Sequence, residues 1–350
     1  MFLKVNLDYP INHLKNVRVG MKTSKLAFFP KKGCNQNNFY LRISNSCFLN
    51  KICPITVRDR RILNSFYKLY RNESINYQDN WDYIIQACRG FGGLGGRLLS
   101  TDSFIPIGIH NDHFVIVNPV GKNLFKSIPE IASFLALNSS LLVYLKHIER
   151  ECFETLVNVQ GFHNIESYPW DCDEIKDDDT YPQLLVNIEK FLSDWNTYTD
   201  LRLRINRFNN LLKERNLTYS FEEIDLYPYE HEVIKFFKSY SRNYEAYENM
   251  IKVSSLTRLN YVLKINNLIA AVFFIGRIGK DAAGCYANIC KYDDFPALQE
   301  FAILKLLEKL AYKDIRFFNF GGSETQSLSK FKEKFRPTKR IISNYLVYKG

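Results

Sequence analysis

The chain has 350 residues, of which 46 % are hydrophobic and 15 % aromatic, so its composition excludes a disordered protein. This length allows two domains that each bury a core of their own. The formal net charge of +10 is compatible with RNA, an anionic surface or a phosphate-rich cofactor as partner. No apolar run reaches the roughly 18 residues that cross a bilayer, and residues 1–10 do not resemble a signal peptide. We therefore expect a soluble, cytoplasmic protein with no membrane insertion.

The eight cysteines give no sign of a metal centre. They form no C-x-x-C pair, and no group of Cys and His residues has the spacing of zinc ligands. The acidic segment 171–179 fails as a calcium loop, because Ile175 and Lys176 stand where an oxygen ligand and a glycine are needed. We expect reduced, mostly buried thiols and no bound metal.

The same acidic segment marks the clearest change of composition along the chain. It is flanked by Pro169 and Pro182 and shows no hydrophobic periodicity, which favours a solvated loop. We therefore predict an N-terminal α/β domain over 1–150, an acidic linker region over 151–184, and a second domain over 185–350.

In the first half, short apolar runs and helical spacing predict a mixed α/β domain. The predicted strands lie at 17–20, 26–30, 39–43, 104–108, 114–118 and 140–145, and the helices at 57–70, 81–88 and 128–137. The glycine cluster at 90–96 contains G-x-G-x-x-G, but a helix precedes it and an extended segment follows. This order is the reverse of a dinucleotide site and favours a flexible loop.

In the second half, the predicted order is strand, helix, a meander of three strands, helix, strand, helix, strand. Two helices come first, at 184–195 and 201–212. The ordered elements then follow at 218–226, 230–240, 260–265, 268–275, 284–290, 295–312, 315–320, 323–335 and 341–348. Asn266-Asn267 suits a tight hairpin turn, and Asp293 or Asp294 is expected to cap the helix at 295–312.

This element order resembles the GNAT superfamily of acyltransferases. The motif Asn319-Phe320-Gly321-Gly322-Ser323, followed by Leu328 and Phe331-Lys332-Glu333-Lys334-Phe335, resembles a signature of two of its branches. These are the Fem-type aminoacyl-tRNA transferases and the catalytic domain of phosphatidylglycerol lysyltransferases. The basic segment 201–208 is similar to a helix of the second branch, and the resemblance covers about 185–350. It implies an α/β (α+β) fold with a GNAT-like mixed sheet and flanking helices, and the whole chain suggests a tandem of two such domains, the first degenerate.

The resemblance implies an N-acyltransferase. Its donor is an activated thioester, either acyl-CoA or an acyl carrier protein, and its acceptor is the amine of a small molecule or peptide. In this fold two parallel strands splay apart and the next helix faces the donor, so the strands at 284–290 and 315–320 are expected to run parallel and separate at one end. The donor arm would then lie along Ile289, Cys290 and Lys291.

The usual diphosphate loop of acetyltransferases is replaced here by Tyr292-Asp293-Asp294-Phe295-Pro296. Carboxylates and a proline make a poor cradle for a diphosphate. This departure keeps two alternatives open. One is an aminoacyl-tRNA donor, whose phosphates would meet the six cations between 330 and 340. The other is a catalytically inactive GNAT-like module that binds nucleic acid or a protein through that surface.

Three residues are candidates for catalysis. Lys332 takes the place of the residue that protonates the leaving group in many GNAT enzymes, Asn319 would hold the acyl carbonyl or the donor arm, and Glu223 offers a base. Three further residues are candidates for donor binding: Ser323, which is also expected to cap the helix at 323–335, and the cations Lys330 and Arg336.

Overall fold

The computed structural model describes residues 52–55, 59–89, 95–99, 102–109, 113–139, 141–166, 180–240, 259–291 and 293–350. The predicted strands at 17–20, 26–30 and 39–43, most of the glycine cluster and the acidic segment 171–179 lie outside these residues.

Two mixed sheets contain all the named strands of this part of the chain. The first consists of β1 (Ile52–Pro54), β2 (Gly95–Leu99), β3 (Ser103–Ile109), β4 (His113–Val117), β5 (Val120–Gly121), β6 (Leu142–Lys146), β7 (Phe162–Ile165) and β15 (Tyr345–Tyr348). The second consists of β8 (Gln183–Asn187), β9 (Tyr219–Ile224), β10 (Leu259–Ile265), β11 (Leu268–Ile278), β12 (Ala282–Cys290), β13 (Phe317–Asn319) and β14 (Lys339–Ile341).

Nine α-helices are described beside these sheets. They are α1 (Asp59–Tyr70), α2 (Trp81–Arg89), α3 (Leu124–Ser139), α4 (Arg150–Leu156), α5 (Ile188–Ser193), α6 (Thr199–Glu214), α7 (Leu226–Tyr240), α8 (Leu298–Ala311) and α9 (Gln326–Glu333). Helix α8 buries its apolar positions together with those of α6 against the second sheet. Helix α3 buries its apolar positions against the first sheet.

The two sheets follow the same plan. Their hydrogen-bonded orders are β1-β2-β3-β4-β6-β15-β7 and β9-β10-β11-β12-β13-β8-β14. Each begins with antiparallel neighbours, continues with one parallel pair, and ends with two antiparallel strands. A helix connects the members of each parallel pair, α3 between β4 and β6 and α8 between β12 and β13. The chain therefore contains one architecture twice.

The two halves exchange a central strand. Strand β15, from the second half, lies between β6 and β7 of the first sheet, where Leu346 pairs with Leu145 on one side and Asn164 on the other. Strand β8 follows β7, the last strand of the first copy, as β15 follows β14, the last strand of the second, so β8 is the counterpart of β15. It lies between β13 and β14 of the second sheet. Because Leu346 is fully buried in the first core, the exchange joins the two sheets.

The structure differs from the predicted division at both boundaries. The region predicted as a linker, 151–184, contains most of α4 and all of β7, which belong to the first half. The predicted closing strand at 341–348 consists of two strands, since β14 ends at Ile341 in the second sheet and β15 begins at Tyr345 in the first. Local periodicity cannot show this, because an apolar strand fits the core of either sheet.

The predicted parallel arrangement of the strands near 284–290 and 315–320 is confirmed. Strands β12 and β13 are parallel and paired only from Ala282 opposite Phe317 to Gly284 opposite Asn319. Helix α8 begins at Leu298, three residues later than predicted, and its N-cap is Ala297 in a left-handed conformation with no side-chain cap. The expected capping by Asp293 or Asp294 is therefore wrong.

The exchange predicts a large stability effect at β15. Leu346→Ala removes a fully buried side chain and is expected to lower the free energy of unfolding by about 2–5 kcal/mol. The matched change Ile342→Ala, at a side chain 74 % exposed, should alter it by less than about 0.5 kcal/mol. Urea unfolding measures both values.

The same variants test whether the sheets unfold together. Trp81 lies in the first half and Trp195 in the second. In variants that keep only one of them, with the other and Trp170 replaced by Phe, tryptophan fluorescence reports on one sheet at a time. We expect both signals to change at the same urea concentration and to shift together in Leu346→Ala. An early transition seen only through Trp81 would contradict the joined architecture.

Candidate active site at the open end of the second sheet

The site lies where β13 leaves β12. Beyond Gly284, β12 continues to Cys290 with β11 as its paired neighbour. The amide of Lys291 donates to the carbonyl of Ala270 at 2.9 Å, so the backbone of Lys291 faces β11. Since successive residues of a strand direct their backbone groups to opposite edges, those of Cys290 and Asn288 face the opening. This edge therefore offers main-chain donors and acceptors to an extended ligand.

The other wall of the opening is the turn after β13. Gly321 adopts φ 71°, a conformation that a side chain disfavours. The turn is fastened to the segment around β8: the amide of Phe320 donates to the carbonyl of Leu184 at 3.0 Å, and Tyr181 forms an isolated bridge with Ser323. The exchanged strand thus holds the Gly-Gly turn in place.

Lys332 reaches this turn from α9. Its side chain is buried, and its ammonium contacts the carbonyl oxygen of Gly322 and that of Gly321, the latter at 3.5 Å. The neighbouring thiol of Cys285 is half-buried, and burial raises its pKa to about 12 despite the opposing charge of Lys332. The structure therefore places a buried cation at the mouth of the opening, beside a thiol that stays protonated at neutral pH.

Asn319 lies at the same mouth, but its amide is already engaged. Its Nδ2 donates to the carbonyl of Ile75 at 2.8 Å and to Oε1 of Gln183 at 3.0 Å, and its Oδ1 accepts from the amide of Gly321 at 2.8 Å. Direct contact with an acyl carbonyl would require breaking these bonds. Asn319 instead fixes the turn and ties it to the first half.

Ser323 does not cap the last helix. Thr325 is the N-cap of α9, and its hydroxyl accepts from the amide of Leu328 at 3.3 Å. The Ser323 side chain is fully buried, and its hydroxyl has no hydrogen-bond partner among the residues that the structure describes. The capping prediction was wrong because the isolated bridge to Tyr181 delays the start of the helix.

Three other predicted site residues do not meet Lys332. Glu223 lies on β9, four strands across the sheet from β13, a distance of about 19 Å at the usual strand spacing, and it forms an ion pair with Lys313 at 2.8 Å. The guanidinium of Arg336 donates to the hydroxyl of Thr197 at 2.8 Å and stacks over the ring of Tyr198. Lys330 is exposed on α9.

Lys334 is not the free surface cation that its position suggests. Its ammonium lies 3.0 Å from a carboxylate oxygen of Glu300, which Arg204 also contacts at 2.7 Å. Burial tends to raise the pKa of this carboxyl, but the hydrogen bond from Lys334 and the two positive charges leave the pKa of Glu300 lowered. The cluster joins α6, α8 and α9 and stabilises the helices around the opening.

A segment of the first half covers the site. The hydroxyl of Tyr286, on β12, donates to the carbonyl of Tyr77 at 2.6 Å, and the amide of Tyr77 donates to Gln183 at 3.4 Å. The ring of Tyr77 lies against Gly321. Segment 71–80 is therefore a wall of the site.

Arg71 anchors that segment through a buried network that the sequence did not reveal. Its guanidinium donates to Asp79 and Asn118 at 2.5 Å, to Glu149 at 2.6 Å and to the carbonyl of Pro119 at 2.7 Å. The carboxylates of Asp79 and Glu149 raise the pKa of Arg71 against the effect of its burial. No local pattern marks these residues, since the longest contact joins positions 78 apart.

The parallel pair of the first sheet has no comparable opening over the residues that the structure describes. Strands β4 and β6 are paired along their whole length, from His113 opposite Leu142 to Val117 opposite Lys146. The amide of Asn118 extends the pairing to the carbonyl of Lys146, and the chain then turns away. Among the residues that the structure describes, the second parallel pair therefore leaves part of a strand edge unpaired, and the first pair does not.

These features define a GNAT-like fold present in tandem, with an open parallel pair in its second copy. No protein-family model and no curated protein matches the sequence. Among solved structures, the chain is similar to a conserved protein of unknown function from Bacteroides thetaiotaomicron, at a TM-score of 0.66 and 12 % identity over 85 % of this chain and 99 % of that one.

Two further structures carry informative names. One is the C-terminal domain of a putative lysylphosphatidylglycerol synthetase from Agrobacterium fabrum, with a TM-score of 0.59 and 14 % identity over 83 % of this chain and 93 % of that one. The other is FemX, with a TM-score of 0.54 and 10 % identity over 84 % of this chain and 96 % of that one. The predicted resemblance to both branches is confirmed at the level of the fold.

Neither a metal cluster nor a membrane-spanning helix occurs in the part of the chain that the structure describes. No group of three or more His, Cys, Asp or Glu side chains within the described ranges is arranged to hold a metal ion. Over the same residues, every helix is too short or too polar to cross a bilayer.

The Arg71 network predicts a strong dependence of stability on one buried cation. Arg71→Met leaves Asp79 and Glu149 without their partner and is expected to cost about 3–5 kcal/mol of unfolding free energy. The control Arg150→Met breaks an exposed pair with Glu154 and should leave the urea midpoint unchanged, because solvent screens that pair. Equal urea midpoints for the two variants would refute the anchoring role.

Proposed function

We propose that this protein is an N-acyltransferase that uses the opening between β12 and β13. The observation that carries the proposal is the buried ammonium of Lys332, held against the Gly-Gly turn at the mouth of that opening. A fixed cation at this place stabilises the charge that develops on the acyl oxygen or on the leaving group. In a water-poor site such stabilisation exceeds that of an exposed lysine.

The reaction is direct attack of an amine on the acyl carbon. The amine nitrogen forms the new bond, the bond from the carbonyl carbon to the leaving sulfur or oxygen breaks, and the amine loses a proton while the leaving group gains one. A covalent intermediate on Cys285 is disfavoured, because its raised pKa keeps the thiol protonated. The chain thus supplies positioning and charge.

The donor that fits the strand edge is an acyl thioester on a long, extended arm. Such an arm, from acyl-CoA or an acyl carrier protein, can form main-chain hydrogen bonds with Asn288 and Cys290 and place its thioester near Lys332. The acceptor in this proposal is the amine of a small molecule or peptide, which approaches from the side covered by segment 71–80.

A second candidate, an aminoacyl-tRNA donor, is favoured by the start of α8. Asp293 and Asp294 are exposed there, and Ala297 has a left-handed backbone in place of a phosphate-binding loop. These carboxylates oppose a CoA diphosphate. The names of FemX and the lysylphosphatidylglycerol synthetase are compatible with this donor, and Lys330 and Lys339 expose cations on the same half.

The proposal predicts a specific loss of turnover. Lys332→Ala is expected to lower kcat by about 10²-fold or more, the scale for losing one acid or oxyanion donor, with a much smaller change in KM. Lys330→Ala, on the exposed face of the same helix, is the matched control and should keep kcat within about twofold. Lys334 is unsuitable as a control because it pairs with buried Glu300. Similar kcat values for Lys332→Ala and Lys330→Ala, with equal melting temperatures, would remove Lys332 from the reaction.

The two donors are distinguished by binding. A thioester donor is expected to raise the melting temperature by mass action when acyl-CoA or acyl carrier protein is added. An aminoacyl-tRNA donor would leave the melting temperature unchanged with both, while tRNA binds with an affinity that falls steeply with salt. Binding of none of these would favour an inactive module over either enzyme.

A further inference from the structure

The first half contains a cavity of about 510 Å³ that the proposed reaction does not use. It lies where the parallel strands β4 and β6 end, beside Asn118 and Glu149. Segment 71–79 forms a second wall, and residues 342–344, between β14 and β15, form a third. Its volume suits a small molecule, and the carboxyl ends of parallel strands are a common place for ligands.

The floor of the cavity is rigid before any ligand arrives. The Arg71 guanidinium fixes Asp79, Asn118 and Glu149 relative to one another. Asn118 in turn donates to Asp79 at 2.8 Å and to the Gln78 carbonyl at 2.9 Å. A ligand therefore meets a preorganised surface and loses little affinity to ordering the protein.

The formal charge of the lining is negative although the chain carries +10. Three carboxylates, Glu73, Asp79 and Glu149, face the cavity together with one guanidinium, Arg71. Arg71 uses one oxygen of Glu149, whose side chain is 52 % exposed, so the second oxygen remains available to a ligand. Glu73 is already paired with the ammonium of Lys280 at 2.6 Å. The remaining negative charge belongs to the two carboxylates of Asp79 and Glu149, which share the single guanidinium of Arg71. The lining therefore favours a cation.

The rim is apolar. Leu69 and Ile342 both line the cavity, and they are exposed to 71 % and 74 %. Isolated exposed apolar residues need no explanation, but two of them at the mouth of one polar cavity leave apolar surface for a ligand to cover. The negative charge at the floor and the apolar surface at the rim together favour a ligand that has both a positive charge and an apolar part.

We infer that this cavity binds a small molecule that carries an ammonium group next to a short apolar part. The ammonium lies at Glu149, and the apolar part lies against Leu69 and Ile342. Binding in this cavity does not depend on acyl transfer at the second sheet.

Three probes of the same chain length test the charge. Pentylamine, pentan-1-ol and pentanoate are titrated into the full-length protein by isothermal calorimetry at pH 7. Pentylamine is expected to bind at least about 10-fold more tightly than pentan-1-ol, because a charge-assisted hydrogen bond is roughly twice as strong as a neutral one. Pentanoate is expected to bind most weakly. Equal affinities for the amine and the alcohol overturn the inference.

Variants locate the binding. Glu149→Gln keeps an acceptor for Arg71 but removes the charge, and it is expected to weaken pentylamine binding about 10-fold. Glu154→Gln, an exposed carboxylate on the same helix and outside the cavity, should leave it unchanged. Ile342→Ser tests the rim and should weaken pentylamine while leaving glucosamine, an amine without the apolar part, unaffected. Equal loss in Glu149→Gln and Glu154→Gln would place the amine elsewhere.

This result is separable from the proposed function. Lys332→Ala should lower the rate of acyl transfer by about 10²-fold or more and leave pentylamine affinity unchanged, since Lys332 does not line the cavity. Loss of pentylamine binding in Lys332→Ala, with an unchanged melting temperature, would overturn the location in the first half.

Discussion

The structure depends on the hydrogen bonding of the interior strands of its two sheets, because an interior strand has polar backbone groups along both of its edges. In each sheet, part of this hydrogen bonding comes from a strand supplied across the boundary between the halves, β15 for the first sheet and β8 for the second. The exchange brings Gln183, at the start of β8, against Tyr77 and Asn319. The wall of the site and the Gly-Gly turn are thus both connected to β8, through the side-chain oxygen of Gln183.

The parallel pairs of the two copies end differently, one closed and one open. The first parallel pair is closed by full pairing and by Asn118, whereas the second is paired at only three positions before it opens. The charged side chains also differ between the two parallel pairs. Lys332 brings a cation to the open pair, while the end of the closed pair has carboxylates around Arg71. One fold thus presents a positive site and a negative cavity on the two sides of segment 71–80.

The sequence predicted what depends on local order. The apolar periodicity that predicts α8, the glycines after β13 and the nearness of Lys332 to that turn are all encoded within a few turns of chain. Contacts between distant positions were not predictable. Nothing near Arg71 indicates that Glu149 and Asn118 will surround it, and nothing near Glu223 shows that it lies at the far edge of the sheet. Ser323 shows a third limit. Its residue type favours an N-cap, but it forms an isolated bridge with Tyr181, and the helix is capped by Thr325 instead.

The strand exchange also has a consequence for how the protein is made. Strand β15 pairs with β6 across about 200 residues of chain, so the first sheet stays incomplete on the ribosome until residues 345–348 have been synthesised. Contacts this distant in sequence slow folding, and during that time β6 and β7 expose edges that can pair with other chains. N-terminal domains usually fold first during synthesis. Here the first half cannot complete its sheet until β15 of the second half has been made. A cell that makes this protein has to shield those edges for the time that translation of the second half takes.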